Sequence, residues 1–404
     1  MSMDGNVLNS EREIALNLII LSPGHNLADP VVQTLQAKLD NFASVLDFGA
    51  TGDGVTDDIA AFDAAWASIK NTGGTLIVPP ATYYLNATWL IDTAGKQYII
   101  KGSGAVLLSG PSVTGFAIDV TGGGNVLKTM IRGFYFNHIT NTTVAGAIRL
   151  SDNPHTTLTN NMIVANSSSA SYIGIDLYND CFWTFITDNS IATNNIGVRL
   201  YGDPNATMIN NNTFAGGVDG IRLDPDAGGT SANGVRISGN SLESLTNGIT
   251  VIGPGTPDYY PTGVLVSENR CETADYFINI AGSASNSGTQ TLNALNNYWV
   301  AGNTGYLSNP DNWVIKVFEQ MGFPDNTSDN VITGAASLHI IHSGIGQNTH
   351  ISNASGASTW QNGHLVLGTT SNPFHLWADA TGDLRIKNGA PTSDTDGAIV
   401  GTQT

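Results

Sequence analysis

The chain has 404 residues, enough for two or three domains, with 46 glycines and only 12 % charged residues, a composition that favours short strands and turns over helices. Its 15 basic and 33 acidic side chains give a net charge of −18, which would repel a phosphate backbone and argues against nucleic acid as a partner. The two cysteines, Cys181 and Cys271, are too few for a disulfide framework, and both are expected to be buried thiols.

The N-terminal region contains one apolar run, IALNLIIL at residues 14–21. A membrane span needs about 20 such residues, so this run is too short to be one. It also lacks the preceding basic region and the small-residue cleavage site of a secretion signal. The sequence therefore predicts neither membrane insertion nor a signal peptide.

A stretch rich in aspartate and glycine follows, LDFGATGDGVTDD at residues 46–58. A calcium loop would need oxygen ligands at alternate positions and a phosphate loop would need a lysine, and the stretch has neither. Apolar residues recur beyond it at helical spacing, which predicts a helix at residues 58–70 with Thr56 or Asp57 as its N-cap. The stretch is therefore interpreted as a turn and a helix cap rather than as an ion site.

The middle of the chain is periodic. An asparagine recurs at spacings of 28, 23, 28, 29 and 28 residues, each followed two positions later by an apolar residue, and the column is Asn161, Asn189, Asn212, Asn240, Asn269 and Asn297. Units of this length without a helical period stack as the coils of a parallel β-helix. Asparagines in register can hydrogen-bond along such a stack at a tight turn, since asparagine tolerates the left-handed conformation.

A second motif, a glycine followed by alternating apolar residues, keeps phase with the asparagines. It begins at Gly174, Gly197, Gly220 and Gly248, and the last three stand eight residues after an asparagine of the column. A weaker apolar stretch precedes the asparagine, so each coil is expected to hold at least two short strands and a third, less regular one. Cys271 stands in the apolar column, which places it in the predicted core.

Three stretches carry a resemblance to a known family: SVLDFGATGDGVTDD with the helix after it, GGTLIVPPATYYL at residues 73–85, and FHLWADATGDLRIKNGAPTSDTDGAIVGTQT at residues 374–404. With the repeats, they closely resemble bacteriophage tailspike proteins and capsule depolymerases, which have a pectate-lyase-like, right-handed parallel β-helix. Ala81 stands where the family usually has glycine, a change in a turn that leaves this expectation intact. The resemblance implies an all-β fold with an N-terminal capping helix and a small C-terminal β domain, assembled as a homotrimer.

The resemblance divides the chain into three parts. Residues 1–44 would form a neck and particle-attachment segment, residues 45–320 the β-helix with its capping helix, and residues 321–404 a β-rich trimerisation domain. In the last part, HLWADATGDLRIK at residues 375–387 alternates on either side of a Thr-Gly-Asp turn, which predicts a β-hairpin. Its apolar residues are expected to face a threefold axis.

The resemblance also implies a function and partners. Family members bind, and usually cleave, a bacterial surface polysaccharide such as capsule, O-antigen or exopolysaccharide. The other expected partners are further copies of the chain and phage tail or baseplate proteins bound through the N-terminus, and the expected location is the virion tail, extracellular on release. No cofactor or metal is expected, because His339 and His342 lie three apart without a carboxylate cluster.

The candidate catalytic residues face outward from the glycine-motif strands. Because the flanking apolar residues point inward, the residue between them faces outward, which gives a column of Arg149, Asp176, Arg199, Arg222, Thr250 and Asn279. Just past the same strands stand Asp180, Asp203 and Asp226. Adjacent coils lie about 4.8 Å apart, so these carboxylates are expected about 5 or 10 Å apart, which brackets the spacings of retaining and inverting glycosidases.

Aromatic residues near these carboxylates are candidates for stacking on sugar rings. Loops at residues 224–233 and 253–262 would wall a groove, whose aromatic candidates are Tyr178, Tyr201, Trp183, Tyr259 and Tyr260. Arg199 and Arg222 are candidates for sugar binding or, alternatively, for ion pairs with neighbouring aspartates, and an outward aspartate has the alternative role of a turn former. A second acidic column, Glu243 and Glu272, is a reserve catalytic site.

Three functions remain open on the sequence. The first is an endo-acting glycoside hydrolase that uses paired carboxylates. The second is a lyase that acts on uronic acid residues by β-elimination, for which Arg199 and Arg222 would neutralise the sugar carboxylate. The third is a carbohydrate-binding tail adhesin without catalysis, since a fold alone does not fix a function.

Overall fold

The computed structural model describes residues 41–93, 95–122, 128–138, 143–165, 171–224, 233–252, 263–272, 276–281, 290–300, 305–308, 313–322, 337–341, 365–369, 372–379, 381–389, 391–393 and 395–400. Within these residues, no helix is both long and apolar enough to cross a membrane. The helical elements of the described residues are one α-helix, α1 (Ile59–Ile69), and a 3₁₀ turn, Val45–Phe48.

Strands, most of them short, make up the rest of the regular structure of the described residues. The strands of the first half are β1 (Phe42–Ser44), β2 (Asp53–Asp57), β3 (Gly74–Ile77), β4 (Thr82–Leu85), β5 (Trp89–Thr93), β6 (Tyr98–Ser109), β7 (Phe116–Gly122), β8 (Thr129–His138), β9 (Gly146–Ser151), β10 (Thr156–Thr159), β11 (Met162–Ala165), β12 (Ile173–Tyr178), β13 (Phe185–Thr187), β14 (Ser190–Ala192) and β15 (Ile196–Tyr201). The later strands are β16 (Met208–Asn210), β17 (Thr213–Ala215), β18 (Asp219–Asp224), β19 (Arg236–Ser238), β20 (Ser241–Glu243), β21 (Asn247–Ile252), β22 (Val264–Ser267), β23 (Arg270–Glu272), β24 (Tyr276–Ala281), β25 (Gln290–Val300), β26 (Gly305–Ser308), β27 (Trp313–Gly322), β28 (Ser337–Ile341), β29 (Leu365–Thr369), β30 (Asn372–Ala378), β31 (Leu384–Asn388) and β32 (Ala398–Ile399).

The strands up to β28 stack into three parallel ladders, so the predicted parallel β-solenoid is confirmed. The first ladder contains β1, β3, β10, β13, β16, β19, β22 and β28, and the second contains β2, β4, β11, β14, β17, β20 and β23. The long strands β6, β8, β25 and β27 pair in both. The third ladder is a nine-stranded sheet of β5, β7, β9, β12, β15, β18, β21, β24 and β26. A coil therefore holds three strands, which includes the weak third strand that the sequence predicted.

The core lies between the ladders and is filled by the apolar columns of the repeat. Ile191, Phe214 and Cys271 of one column are at most 2 % exposed, and both cysteines are buried thiols, as predicted. The motif glycine is required by close packing between coils. A Cβ on Gly197 would lie 2.5 Å from the carbonyl oxygen of Gly220 and 2.6 Å from a ring carbon of Phe214, so only glycine fits there.

The asparagine column forms a continuous hydrogen-bonded ladder, as the spacing predicted. The side-chain oxygen of Asn240 accepts hydrogen bonds from the backbone N–H of Asn212 at 2.9 Å and from its side-chain amide at 3.1 Å, and the pattern repeats along the stack. The left-handed conformation, however, belongs to the residue before each asparagine, for example Asp188 at φ 58° and Asn211 at φ 56°. The column asparagine makes the hydrogen bonds of the turn, and the residue before it adopts the left-handed conformation.

The aspartate–glycine stretch is structural, as predicted, although its details differ. Helix α1 begins after Asp58, not after Thr56 or Asp57, and the Asp58 carboxylate accepts hydrogen bonds from the backbone of Thr51 at 2.6 Å and Gly52 at 3.2 Å. Asp57 accepts the first helical N–H, that of Ile59. These carboxylates tie down the turn before the helix, which explains their density without an ion.

Helix α1 packs against the first strands of the solenoid. The ring of Phe62 makes edge-to-face contacts with Tyr83 and Trp89 at centroid distances of 5.2 and 5.0 Å. The strand-like segment after the helix is divided into β3 and β4 by the turn that contains Ala81. The role of the helix as a cap of the solenoid stays a prediction.

The C-terminal strands β29, β30, β31 and β32 form a separate antiparallel sheet. In it His375 pairs with Lys387, so the predicted hairpin is confirmed. The Asp379 carboxylate organises its turn by accepting the backbone N–H groups of Thr381 at 3.0 Å and Asp383 at 2.9 Å, and it pairs with Arg385. The trimerisation role of this domain and the predicted boundaries at residues 44 and 320 remain predictions.

A buried polar chain lies inside the solenoid. His138 Nε2 is 3.0 Å from the hydroxyl of Ser109, and its Nδ1 is 2.7 Å from the hydroxyl of Tyr172. Burial lowers the pKa of His138 to about 4, and burial raises the pKa of Tyr172 well above its ordinary value. Near pH 6.5, where a histidine of the unfolded chain takes up a proton, His138 of the folded chain therefore stays neutral.

Acidification from pH 7 to 5 should therefore lower the free energy of unfolding by about 2 kcal/mol through His138 alone. The unfolded histidine binds a proton in this range and the folded one does not, so stability is lost as the pH falls below about 6.5, the ordinary histidine pKa. Denaturant unfolding at both pH values measures the effect. His138→Gln should remove this part of the pH dependence, and an unchanged difference between the two pH values would contradict the assignment.

Candidate functional site

The outer face of the third ladder carries the column of polar residues that the sequence predicted. The flanking apolar residues Ile175 and Leu177 are fully buried in the core, and Asp176 between them is buried as well, in contact with the arginines of the neighbouring strands. Register pairing aligns the column as Asp119, Arg149, Asp176, Arg199, Arg222, Thr250 and Asn279. The predicted outward position describes the partly exposed arginines of the column, whereas Asp176 and Thr250 are buried.

Asp176 holds the two arginines on either side of it. Its carboxylate accepts a hydrogen bond from Arg149 at 3.0 Å and two from Arg199, at 2.8 and 3.0 Å. The Asp176 side chain has no exposed surface. Burial alone would lower the pKa of Arg199, but the hydrogen bonds and the charge of Asp176 raise it above its ordinary value. This arrangement fixes the arginines and leaves both oxygens of Asp176 occupied.

A second buried carboxylate neutralises the next arginine. Asp219 is fully buried and pairs with Arg222, and it also accepts hydrogen bonds from the side chains of Asn247 at 2.8 Å and Thr250 at 2.6 Å. The alternative interpretation of Arg199 and Arg222 as partners of neighbouring aspartates therefore describes their contacts in the fold. Their predicted role in sugar binding is untested.

Two tyrosines stack beside this charge column. The rings of Tyr178 and Tyr201 are 4.9 Å apart and nearly parallel, at 8°. The guanidinium of Arg149 lies 5.3 Å from the Tyr178 ring, and that of Arg199 lies 5.2 Å from the Tyr201 ring. Asp224 follows Tyr201 in register on the next coil. Burial raises the pKa of Asp224, and the charges of Asp176 and Asp219 add to the rise while Arg199 and Arg222 oppose it.

Asp180 and Asp203 lie in successive turns, each just after its strand of the third ladder. The N–H of Asn179 donates to Tyr201 O at 2.9 Å and the N–H of Trp183 donates to Asn205 O at 2.9 Å, so the turns that carry the two aspartates stack directly. Their coils are about 4.8 Å apart. Burial raises the pKa of Asp203, and the neighbouring charge of Asp180 raises it further. The two aspartates are therefore at equivalent positions of neighbouring turns, and their predicted catalytic role stays a prediction.

An aromatic surface adjoins the aspartate pair. Trp183 is 53 % exposed, and its ring lies 4.8 Å from that of His155 on the preceding coil. Both residues have left-handed backbones, with φ of 52° and 58°, which is uncommon for bulky side chains. Phe182 contacts both rings from the side, at 5.3 and 5.7 Å. The strained turn presents a broad aromatic face to solvent next to two carboxylates.

The remaining predicted residues lie elsewhere. Glu243 and Glu272 pair in register on the second ladder, a different face of the solenoid, where Arg270 pairs with Glu272 and Ser241 donates to Glu243 at 2.9 Å. Asp226, Tyr259 and Tyr260 lie outside the described residues. The catalytic and binding roles predicted for all of these residues are untested. In the described parts of the chain, no cluster of three or more His, Cys, Asp or Glu could hold a metal ion.

Three residues of this face were missed by the sequence analysis. Asp119 occupies the outer column on β7, and its buried Oδ1 has no hydrogen-bond partner among the described residues, while burial raises its pKa. The signal was present, because FAIDV has the same apolar alternation as the glycine motif without the glycine. Asp224 lies in register with Tyr178 and Tyr201, and it could have been found only by aligning this last position of the strands. His155 was hidden because its turn is one residue shorter than that of Trp183.

Two models of known protein families match this chain. The family model for rhamnogalacturonase A/epimerase, pectate lyase-like proteins matches residues 42–250, just over half of the chain. The chain belongs to this family. The pectate-lyase-like match covers the solenoid up to β21, including the outer face of the third ladder. A second family model, capsule depolymerase, matches residues 326–402, which reach to the C-terminal sheet.

Solved structures agree with the family at the level of the fold. A mutant of the tailspike protein of E. coli bacteriophage HK620 in complex with a hexasaccharide superposes with a TM-score of 0.55 and 15 % identity, over 83 % of this chain and 73 % of that chain. The same tailspike in complex with a pentasaccharide gives a TM-score of 0.54 at 14 % identity, over 82 % and 73 %. The predicted resemblance to tailspikes and capsule depolymerases is thus confirmed. A search of curated proteins found no match.

Proposed function

We propose that this protein binds and degrades a bacterial surface polysaccharide as an endo-acting glycoside hydrolase of a phage tail. The capsule depolymerase match and the pectate-lyase-like family support polysaccharide degradation. The HK620 tailspike, which shares the fold, is solved with penta- and hexasaccharides. The observation that carries the proposal is that the turns of Asp180 and Asp203 stack beside the exposed ring of Trp183.

The two aspartates would take different roles because their surroundings differ. Asp203 has a raised pKa, so it would hold a proton longer than an ordinary aspartate and donate it to the glycosidic oxygen as the bond breaks. Asp180 is exposed and would attack the anomeric carbon as a carboxylate. Water would then release the glycosyl-enzyme, with Asp203 taking the proton. A spacing of about 5 Å between carboxylates is that of retaining glycosidases.

The aromatic residues would hold the sugar chain across this pair. The exposed ring of Trp183 suits the apolar face of a pyranose, and Tyr178 and Tyr201 lie on the strands that lead into the same turns. Arg149, Asp176 and Arg199 would act as a rigid support under the tyrosines, because their charges are already paired. In this arrangement the aromatic residues bind the substrate, and the aspartates of the turns carry out the reaction.

The paired arginines favour hydrolysis over elimination. A lyase must neutralise the carboxylate of a uronic acid at the cleavage point. On this face Arg149 and Arg199 share Asp176, and Arg222 is held by Asp219, so the charges that a uronate would need are already engaged. A hydrolase requires no such free cation at the scissile bond.

The assembly expected from the resemblance belongs to the same proposal. We place the protein at the virion tail as a homotrimer, extracellular on release, joined to tail or baseplate proteins through its N-terminal segment. The capsule depolymerase and tailspike likenesses support this setting. Analytical ultracentrifugation of the full chain tests it, with a mass of three chains expected.

The proposed activity should appear as shortening of a purified capsule, O-antigen or exopolysaccharide. Size-exclusion chromatography before and after incubation, followed by mass spectrometry of the products, measures it. Products with one added water per cut are expected. Unsaturated products without the water would make the protein a lyase, and binding without shortening would make it an adhesin.

A further inference from the structure

A groove of about 530 Å³ lies beside the turns that precede the first ladder. It is lined by Lys96, Gln97 and Lys128, together with backbone at Gly73 and Gly74. We refer to this surface as the lysine groove. It lies outside the aspartate pair and the charge column of the proposed catalytic face.

The lysine groove has a charge opposite to that of the protein. The chain carries a net charge of −18, yet no acidic side chain among the described residues lines this groove. Within the described ranges, the lysines that form ion pairs are Lys70 and Lys387, and neither is in the groove. Two lysines that line one concavity favour the binding of an anion there, although the net charge of the protein repels anions.

The strand register connects the lysine groove to the proposed catalytic turn. Thr129 pairs with Tyr98 and with Thr156, so Lys128 stacks between Gln97 and His155 along the axis of the solenoid. The N–H of His155 donates to the carbonyl of Phe182, which places Trp183 on the next coil of the same column. Lys128 is therefore two coils, or about 10 Å, from the Trp183 turn. The path between them is covered by the aromatic surface of His155 and Trp183.

We propose that the lysine groove binds an anionic substituent, a carboxylate or a phosphate, of the polysaccharide whose chain runs along the solenoid axis over His155 and Trp183. This inference rests on the proposed function, because it assigns to the same substrate a charged group a few sugar units from the cleavage point. The lysines supply point charges for the anion. The hydroxyl and amide groups of Thr72, Thr75 and Gln97 that line the groove match sugar hydroxyls.

The lysine groove also separates recognition of charge from chemistry. On the charge column the arginines already pair with buried aspartates, so a charged sugar gains less there than it would from the lysines of the groove. Two to three coils away, the unengaged lysines can hold its charge while a neutral linkage lies over Asp180 and Asp203. The substrate class that fits is a polysaccharide with periodic acidic groups and neutral linkages between them.

Calorimetric titration of the full chain with tetragalacturonate at low salt tests the proposal. The double variant Lys96→Gln/Lys128→Gln should bind it at least about tenfold more weakly than the parent, and added salt should weaken the parent alone. The control is Lys101→Gln, an exposed lysine on β6 outside the groove, which should bind as the parent does. The neutral methyl ester of tetragalacturonate should bind the parent and the double variant equally.

Inorganic phosphate, titrated at matched ionic strength, separates the two sources of charge. If the parent binds phosphate but not tetragalacturonate, and the double variant does not bind phosphate, the anionic substituent held by the groove is a phosphate. Failure of both anions to bind, or equal binding by all variants, overturns the proposal. Because these titrations need no cleavage, anion binding without any polysaccharide shortening would overturn the proposed hydrolase and keep the groove. If the parent and the double variant both shorten the polysaccharide and neither binds an anion, the groove proposal is overturned and the hydrolase is kept.

Discussion

Replacement of Asp203 by asparagine should slow polysaccharide shortening by a factor of about 10² to 10⁴, the usual contribution of a positioned general acid. Asparagine keeps the size and the turn propensity of the side chain, but its amide cannot act as an acid or carry a carboxylate charge. The turn is held by backbone bonds from Asn179 and Trp183, which the substitution leaves in place. The rate of chain shortening, measured by viscometry and by product masses, gives the effect directly.

The partner aspartate should show a distinct signature. Asp180→Asn removes the proposed nucleophile, so neither the glycosyl-enzyme nor the products should form. Asp203→Asn removes only the proposed general acid, so it should still cleave a substrate whose leaving group has a low pKa and needs no proton. An activated aryl glycoside of the released oligosaccharide provides that leaving group. Recovery of cleavage in Asp203→Asn but not in Asp180→Asn supports the two roles.

A matched control comes from the other side of the coil. Asp188 is an exposed aspartate with φ of 58°, in the turn of the asparagine ladder, and asparagine is well tolerated in that conformation. Asp188→Asn should therefore cleave at the parent rate and unfold at the parent midpoint. If Asp203→Asn cleaves as fast as Asp188→Asn, the catalytic pair lies elsewhere, and the register pair of Glu243 and Glu272 becomes the next candidate.

The fold was predictable because its determinants recur along the sequence. Asn212 and Gly197 each have equivalents on neighbouring coils, so the period shows where strands pair and which side chains share a column. The conformation inside one turn does not recur in the same way. The left-handed residue before the asparagine is Asp188 in one coil, Asn211 in the next and Glu268 in a later one, so no residue type marks it.

The site was predictable only where it follows the period. The stacking of the turns that carry Asp180 and Asp203 follows from their equal lengths, and the sequence was sufficient for it. The burial of Asp176 depends on the arginines on both neighbouring strands, which reach across and remove it from solvent. A list of outward residues treats Asp176 and Asp180 alike, although one is fully paired and the other is exposed. Partner geometry, not position in the repeat, separates them.

The asparagine ladder should be the most sensitive part of the solenoid to a single substitution. Asn212 donates to the carbonyl of Ile186 at 2.8 Å and to Asn240 Oδ1 at 3.1 Å, and its own oxygen accepts from the backbone and side chain of Asn189 at 2.9 and 3.0 Å. All of these groups are buried, so alanine at this position leaves donors and acceptors on both adjacent coils without partners. Buried polar groups that lose their partners cost roughly 1–3 kcal/mol each.

Asn212→Ala should therefore lower the free energy of unfolding by roughly 3–5 kcal/mol, since more than one buried group loses its partner. Tryptophan fluorescence in guanidinium chloride measures the midpoint, and hydrogen exchange should show early opening of the coils that contain Asn189 and Asn240, because each coil contacts only its neighbours. The control is Asn211→Gly, which changes the exposed left-handed residue beside it and should cost less than about 0.5 kcal/mol. If both variants unfold at the same midpoint, the ladder contributes register without stability, and the apolar columns alone hold the coils together.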